Sequence, residues 1–93
     1  MLSKEMQTLA TSRAKFWGSW RWAQKDPAML QLADDMWAIW HAVWEAAAWE
    51  CYFEAFEERA PRTLPDPALL FELALSADNA LVGLGLQGVP RIE

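Results

Sequence analysis

The eight residues WAIWHAVW (37–44) hold three of the seven tryptophans in this 93-residue chain. The spacing of three and then four residues places Trp37, Trp40 and Trp44 on one face of a helix. Because each indole can bury ~150–250 Å² of surface, the packing of these rings decides the architecture. We interpret the three rings as a core face, with Trp17 and Trp20 of an earlier helix packed against them.

Two segments on either side of the helix around residues 37–44 carry the same helix-start signal, Asp26-Pro27 and Asp66-Pro67. In each, aspartate is a favoured N-cap and proline suits the first helical position. Prolines and glycines between and after these segments end the regular patterns. The sequence therefore predicts a single all-α domain over 1–93, with helices at about 3–24, 27–60 and 67–82 and a short, irregular, flexible C-terminal tail at 83–93.

The predicted central helix is long for so small a domain. A helix over residues 27–60 would be ~51 Å long, whereas a compact globule of this chain length is roughly 32 Å across. Its apolar face also changes side after Ala48. We therefore expect the first helix to pack along its first half, and the third to pack along the other side of its second half. The third helix is apolar nearly all round, which predicts burial nearly all round, and a homodimeric bundle would cover the remaining apolar surface.

Composition limits the classes of function. The chain has a net charge of −5, and every acidic residue except Glu5 follows residue 25. Such acidity argues against direct nucleic-acid binding. The single cysteine, Cys51, excludes an intrachain disulfide and fits a reducing compartment. We find no signal-peptide pattern and no apolar run long enough for a membrane span, so the expectation is a soluble, cytoplasmic protein with no membrane partner.

No pattern in the chain indicates a catalytic, metal or cofactor site. His41 could share a helix face with Asp34 and Glu45, but the two carboxylates would lie ~16 Å apart along the axis, which leaves a solvated His41–Glu45 pair. Cys51 is too far from His41 for a hydrogen bond within one helix, and we interpret it as a buried, inert thiol. The stretch GLGLQG (83–88) has the letters of a dinucleotide-binding loop, but it follows a helix instead of a strand. The chain is therefore predicted not to be an enzyme.

The first helix interleaves basic and aromatic residues. Such mixtures are typical of proteins that bind single-stranded nucleic acid or a membrane surface. However, Phe16 and Trp20 belong to a regular inward stripe, and Arg13 falls inside that stripe, where it could stack on a tryptophan. We therefore interpret this helix as a core face plus a solvated basic face, and Trp22 is the ring predicted to be exposed.

The second half of the central helix carries a strip of glutamates beside bulky rings. These acids are either a solvated face or a docking surface for a basic partner, which could be another protomer or a foreign protein. Regularly spaced carboxylates can also imitate a phosphate backbone towards a nucleic-acid-binding protein. The candidate partner-binding residues are Glu50, Glu54, Glu57, Glu58, Trp49, Tyr52, Phe53, Phe56 and Trp22.

These features favour a non-enzymatic protein–protein interaction module. By analogy of type, small, acidic, ring-rich chains without catalytic motifs include inhibitors and anti-defence proteins of phages and mobile elements, which block a host protein. Two alternatives stay open. The chain could be a small-ligand-binding helical protein whose Trp37/Trp40/Trp44 face lines an apolar pocket, or it could be a structural subunit of a larger assembly.

Overall fold

The computed structural model describes residues 3–56, 65–86, 88 and 90, and these residues form three helices without any strand. The helices are α1 (Ser3–Trp22), α2 (Pro27–Ala55) and α3 (Pro67–Gly83). The all-α prediction is confirmed. The predicted end of the second helix at residue 60 is wrong, because Phe56 is the C-cap of α2, with φ −100° and ψ 6°. Acidic residues gather at this end, where the helix dipole disfavours negative charge.

Both predicted helix starts are confirmed by their capping bonds. The Asp26 carboxylate accepts a hydrogen bond from the backbone N–H of Ala28 at 2.9 Å. The Asp66 carboxylate does the same for Ala68 at 3.0 Å. Each aspartate has an extended backbone, and each is followed by proline at the start of the helix. The aspartate therefore satisfies one of the N–H groups that the first helical turn leaves without a partner.

The glycine-rich stretch after α3 ends that helix. Gly85 has a φ of +74°, and its N–H donates to the carbonyl of Val82 at 3.0 Å. Glycine enters this left-handed region at little cost, and a residue with this geometry just beyond the C-cap is a common helix stop. Gly83 belongs to α3, so the predicted tail starts one residue too early. A side-chain Cβ at Gly88 would lie 3.8 Å from Nε1 of Trp20, so this part of the predicted tail contacts the core.

The core lies where all three helices meet. Trp17 of α1 and Trp40 of α2 are fully buried, and Trp20 is 8% exposed. The rings of Trp17 and Trp20 pack edge to face, with their centroids 5.3 Å apart. The predicted core role of these three tryptophans is confirmed. Smaller residues complete the buried cluster: Ala10, Ala33, Met36, Val43 and Ala74.

Two of the three tryptophans in the deciding stretch do not lie in this core. Trp37 is 46% exposed and Trp44 is 39% exposed, so the prediction that they fill the core is wrong. At about 3.6 residues per turn the three positions span only about 60° of the helix, with Trp40 at one edge of this arc, and only that edge faces the core. The other two rings lie on the flank beside α1, where small residues such as Gly18 leave them partly open to solvent. A Cβ at Gly18 would come within 3.9 Å of Trp37.

The third helix packs differently from the prediction. Phe71 meets Trp40 edge to face, with a centroid distance of 6.0 Å, so α3 packs against the same core as α1 and not only along the second half of α2. The expectation of burial nearly all round is also wrong, because Leu69 is 56% exposed and Leu73 is 60% exposed. The fully buried residues of α3 are instead Ala74 and the charged Asp78. Over the described residues, no helix combines the length and apolar character needed to cross a bilayer.

The capping bonds give a matched stability prediction. Asp26→Ala and Asp66→Ala should each lower the free energy of unfolding by about 1 kcal/mol, because each leaves helix-start N–H groups without their side-chain acceptor. Urea unfolding followed by circular dichroism measures the loss. Asp35→Ala is the control, since within the described residues this exposed side chain pairs with Gln31 one turn away, a contact worth a few tenths of a kcal/mol. Equal losses in all three variants would contradict the capping role.

Candidate interaction surface

A buried carboxylate joins the three helices. Asp78 of α3 has no exposed surface. Its Oδ2 accepts hydrogen bonds from Nε of Arg13 at 2.7 Å and from the indole nitrogens of Trp17 and Trp40, both at 2.9 Å. Its Oδ1 accepts from Nη2 of Arg13 at 2.5 Å. Four donor groups on three residues of α1 and α2 therefore surround one carboxylate of α3. We call Asp78, Arg13, Trp17 and Trp40 the Asp78 cluster.

Arg13 is held as firmly as its partner. The guanidinium is in a two-pronged pair with Asp78, and its Nη2 also donates to the backbone carbonyl of Pro90 at 2.9 Å. Its central carbon lies 4.4 Å from the centroid of the Phe16 ring and 5.7 Å from that of Trp17. The predicted stacking on a tryptophan is thus secondary to a contact with Phe16. An arginine inside an apolar stripe and an aspartate on an apolar helix face were the sequence signals for this pair.

The Asp78 cluster has a structural role. Its carboxylate has no contact with solvent, so no substrate can reach it without unfolding. A buried ion pair is weak evidence for net stability, but removing one partner leaves an uncompensated charge in the interior, which is strongly unfavourable. The cluster therefore fixes which face of α3 turns inward, and the surfaces that remain outside become the candidates for binding.

The basic face of α1 is smaller than the sequence suggested. Arg13 is buried in the Asp78 cluster, and Nε of Arg21 lies 2.8 Å from Oδ1 of Asp34. This second pair is an ion pair by distance only, because the Nε–H bond of Arg21 does not point at an acceptor. Lys15 makes no ion pair within the described part of the chain. An acidic surface of a second protomer would therefore meet the lysines of α1, because Arg13 and Arg21 already lie beside carboxylates of their own chain.

The residues considered for metal or thiol chemistry, Asp34, His41, Glu45 and Cys51, do not form one site. Nδ1 of His41 lies 3.9 Å from a Glu45 oxygen, while Asp34 faces Arg21. Within residues 3–56 and the other described positions, no three potential ligands come together as a metal site. Cys51 is half-buried, and its sulfur accepts a hydrogen bond from the Gln7 amide at 3.4 Å.

The last two turns of α2 present a continuous cluster of rings. We define the aromatic cluster as Trp49, Tyr52, Phe53 and Phe56. Neighbouring centroids lie between 4.9 and 6.0 Å apart, in edge-to-face, stacked and tilted arrangements. Phe56 is 65% exposed, and Trp49 and Tyr52 are each more than 40% exposed. These rings contact one another, yet much of their surface faces solvent.

Acidic residues accompany the aromatic cluster. Glu54 is exposed and Glu50 is half-buried, while Glu57 and Glu58 lie outside the described residues. Helix α2 contains no lysine or arginine, so nothing basic on the same helix offsets these charges. Glu54 lies in the last turn of α2, where the negative end of the helix dipole costs about 0.3–1 kcal/mol. A basic partner would relieve this cost.

Trp22 is 88% exposed, as predicted for this ring, but it belongs to a different surface. It ends α1 close to the start of α2, whereas the aromatic cluster begins at Trp49. At 1.5 Å per residue, the 22 positions from Pro27 to Trp49 correspond to ~33 Å along α2. The candidate residues thus fall into two separate places, and a single small epitope cannot include both.

The structure also contains a groove beside two of the tryptophans in the stretch 37–44. It lies between α1 and α2 and has a volume of about 290 Å³. Trp37, His41 and Trp44 form one wall, with the imidazole stacked on Trp37 at 4.9 Å and 13°. The sequence analysis left open an apolar pocket lined by Trp37, Trp40 and Trp44; two of these rings line the groove, whereas Trp40 is buried in the Asp78 cluster. The small residues Ala10 and Ala14 on α1 were the available signal for an opening beside large rings.

Comparison of the chain with protein-family models, with curated proteins and with solved structures finds no match. The functional interpretation therefore depends on the surfaces described above.

The Asp78 cluster predicts a non-additive mutational pattern. Asp78→Ala should lower the free energy of unfolding by about 3–5 kcal/mol, because it leaves the Arg13 charge buried without a partner. The double variant Arg13→Met/Asp78→Asn should recover most of that loss, since it removes both charges at nearly unchanged volume and keeps an amide oxygen as acceptor for the Trp17 and Trp40 indoles. Urea unfolding measures both, and the double variant keeps the test usable if Asp78→Ala does not fold. A double variant as unstable as Asp78→Ala would contradict the pairing.

Proposed function

We propose that this protein is a non-enzymatic binding module that docks the C-terminal end of α2 onto a basic surface of another protein. The exposed aromatic cluster carries the proposal. Contiguous exposed rings are costly in water, and tyrosine, tryptophan and phenylalanine are enriched where protein partners meet. Such rings supply most of the binding energy at many interfaces because they bury a large area in few contacts.

The charge at this end of α2 favours a basic partner. Glu54 is exposed, and Glu50 lies one turn earlier on the same helix. Glu57 and Glu58, which lie outside the described residues, would extend the same charge along the chain. Complementary potentials accelerate association and select among partners more than they add affinity. We infer that the rings provide affinity and that the acids select a basic, nucleic-acid-binding surface.

Blocking such a surface would make the protein an inhibitor. A row of carboxylates beside stacked rings presents negative charge and flat faces, as single-stranded nucleic acid does, and would compete with it for the partner. This supports the proposal of a small cytoplasmic inhibitor of the kind that phages and mobile elements carry against host proteins. Within this proposal, the protein performs no chemistry of its own, and Trp22, near the other end of α2, lies outside the docking surface.

We further propose that the protein forms a homodimeric helical bundle. In it, α2 is the long central helix of each copy, and the two copies meet through the outward faces of α3. The outward face of α3 presents Leu69, Leu73 and Leu84 without a charge between them. A two-fold axis between Ser76 and Ala77 would set each Leu73 against the small Ala80 of the other copy. A strip along this helix supplies at most ~600 Å² of buried surface in total by its dimensions, less than the ~1,200 Å² of stable complexes. The dimer is therefore expected to be weak.

Substitutions in the aromatic cluster and at its neighbouring acidic residues should weaken binding to the partner protein. The protein is immobilised on a resin and incubated with source-cell extract. A partner protein that the resin retains is then purified, and its affinity for the protein is measured. Phe56→Ser and Glu54→Lys should each weaken that affinity about tenfold or more, because they remove an interface ring or reverse a complementary charge. Single-stranded nucleic acid should compete for the purified partner.

Matched controls keep this test specific. Trp22→Ser removes an exposed ring far from the cluster, and Glu72→Lys reverses an exposed charge on α3. Both should leave the affinity within about twofold, and hydrogen exchange of the purified complex should protect residues 49–56. Equal weakening by Trp22→Ser, or protection confined to other residues, would overturn the assigned surface.

Self-association has its own measurement. Light scattering should show a dimer at tens to hundreds of micromolar protein that dissociates on dilution. Leu73→Glu should give a monomer with unchanged helicity, because it places a charge in the uncharged seam of α3. Ala38→Glu, at an exposed position of α2, is the control and should remain dimeric. A wild-type protein that stays monomeric over this concentration range would contradict the proposed dimer. A dimer that persists in Leu73→Glu would contradict the proposed α3 interface.

A further inference from the structure

The groove between α1 and α2 is lined by a ladder of three rings. The His41 imidazole lies between the indoles of Trp37 and Trp44, at centroid distances of 4.9 and 5.8 Å and interplanar angles of 13° and 30°. Both tryptophans are partly exposed. Ala10 and Ala14 of α1 form the opposite, small-residue side. The groove therefore offers aromatic surface next to open space, which a planar apolar group would fill.

The groove continues into a polar section. A second depression of about 470 Å³ shares Thr11, Lys15 and Trp44 with the first, and adds Gln7, Thr8 and Ser12. The hydroxyl of Thr8 already donates to the backbone carbonyl of Lys4 at 3.0 Å. Thr11 and Ser12 remain as donors beside Lys15. Polarity thus rises along the groove from rings at one end to hydroxyls and an ammonium group at the other.

Lys15 determines the charge that this groove accepts. It is exposed, and it is the only lysine, arginine, aspartate or glutamate among the residues that line either section. In a chain with a net charge of −5, a lining whose single formal charge is positive favours an anion. A charge-assisted hydrogen bond from an ammonium group is among the stronger polar contacts.

We propose that this groove binds a small planar aromatic anion, such as a two-ring carboxylate or sulfonate. Its rings pack against Trp37 and Trp44, and its anionic group accepts hydrogen bonds from Lys15 and the Thr11 hydroxyl. A volume of about 290 Å³ lies at the lower limit of ligand pockets, ~300–1,000 Å³, so it fits two fused rings and not a dinucleotide. Trp40, buried in the Asp78 cluster, takes no part. This site is independent of the surface on the last turns of α2.

Fluorescence titration with two dyes tests the proposal. Anilinonaphthalene sulfonate carries the anion, and phenylnaphthylamine has the same rings without it. The sulfonate should bind one per chain and about tenfold more tightly than the neutral dye, as one charge-assisted contact predicts. Lys15→Gln should remove that difference, and Trp44→Ala should weaken both dyes about tenfold, as loss of one stacking partner predicts.

Matched control variants distinguish binding in this groove from non-specific dye binding. Lys25→Gln and Trp22→Ala change the same residue types elsewhere and should leave both affinities unchanged, and Phe56→Ser should do the same, whatever its effect on partner capture. Near-ultraviolet circular dichroism identifies any variant that binds dye because its packing has loosened. Equal binding of the two dyes, or insensitivity to Lys15→Gln, would overturn the proposal. If raising the protein concentration displaces the sulfonate, the groove is instead occupied by a second copy of the chain, and the proposal is wrong.

Discussion

The carboxylate of Asp78 is the constraint on which the rest of the structure depends. It is fully buried, and it accepts hydrogen bonds from Arg13, Trp17 and Trp40, so one side chain of α3 is bound to both other helices. A charge in a low-dielectric interior is tolerated only where its partners are complete. Any arrangement that rotated α3 would leave both Asp78 and Arg13 without their partners. The cluster thus selects one packing of α3 from several that its apolar sequence would allow.

Fixing α3 in this way also decides what the molecule exposes. With Asp78 and Ala74 turned inward, Leu69 and Leu73 must face outward. Because α1 and α3 both pack around Trp40, the aromatic cluster at the end of α2 and the rings flanking α1 stay partly uncovered. The outward leucines proposed for a second copy therefore follow from the burial of one ion pair, whereas the aromatic cluster and the groove contain rings that α1 and α3 leave partly uncovered.

Local signals in the sequence predicted the helices well. The two Asp-Pro starts and the central role of Trp40 follow from capping chemistry and helical spacing, which act over a few residues. The Arg13–Asp78 pair spans 65 positions, and no local pattern defines such a partner. The sequence named Trp49, Tyr52 and Phe56 as partner candidates but also expected α3 to pack on their side of α2, and the structure leaves these rings partly exposed. It misplaced Trp37 and Trp44, since only the position of α1 and its small residues determines which flank of the stripe is covered.

The indole N–H signals of the seven tryptophans in a proton NMR spectrum show whether the Asp78 carboxylate holds Trp17 and Trp40. In our account, the N–H groups of Trp17 and Trp40 donate to a buried carboxylate, so their exchange with solvent should require global unfolding. Those of Trp22, Trp37 and Trp44 should exchange at once. In Asp78→Asn, protection of the Trp17 and Trp40 indoles should fall while the helices remain. Protected N–H groups on Trp37 and Trp44, with fast exchange at Trp17 and Trp40, would contradict the account.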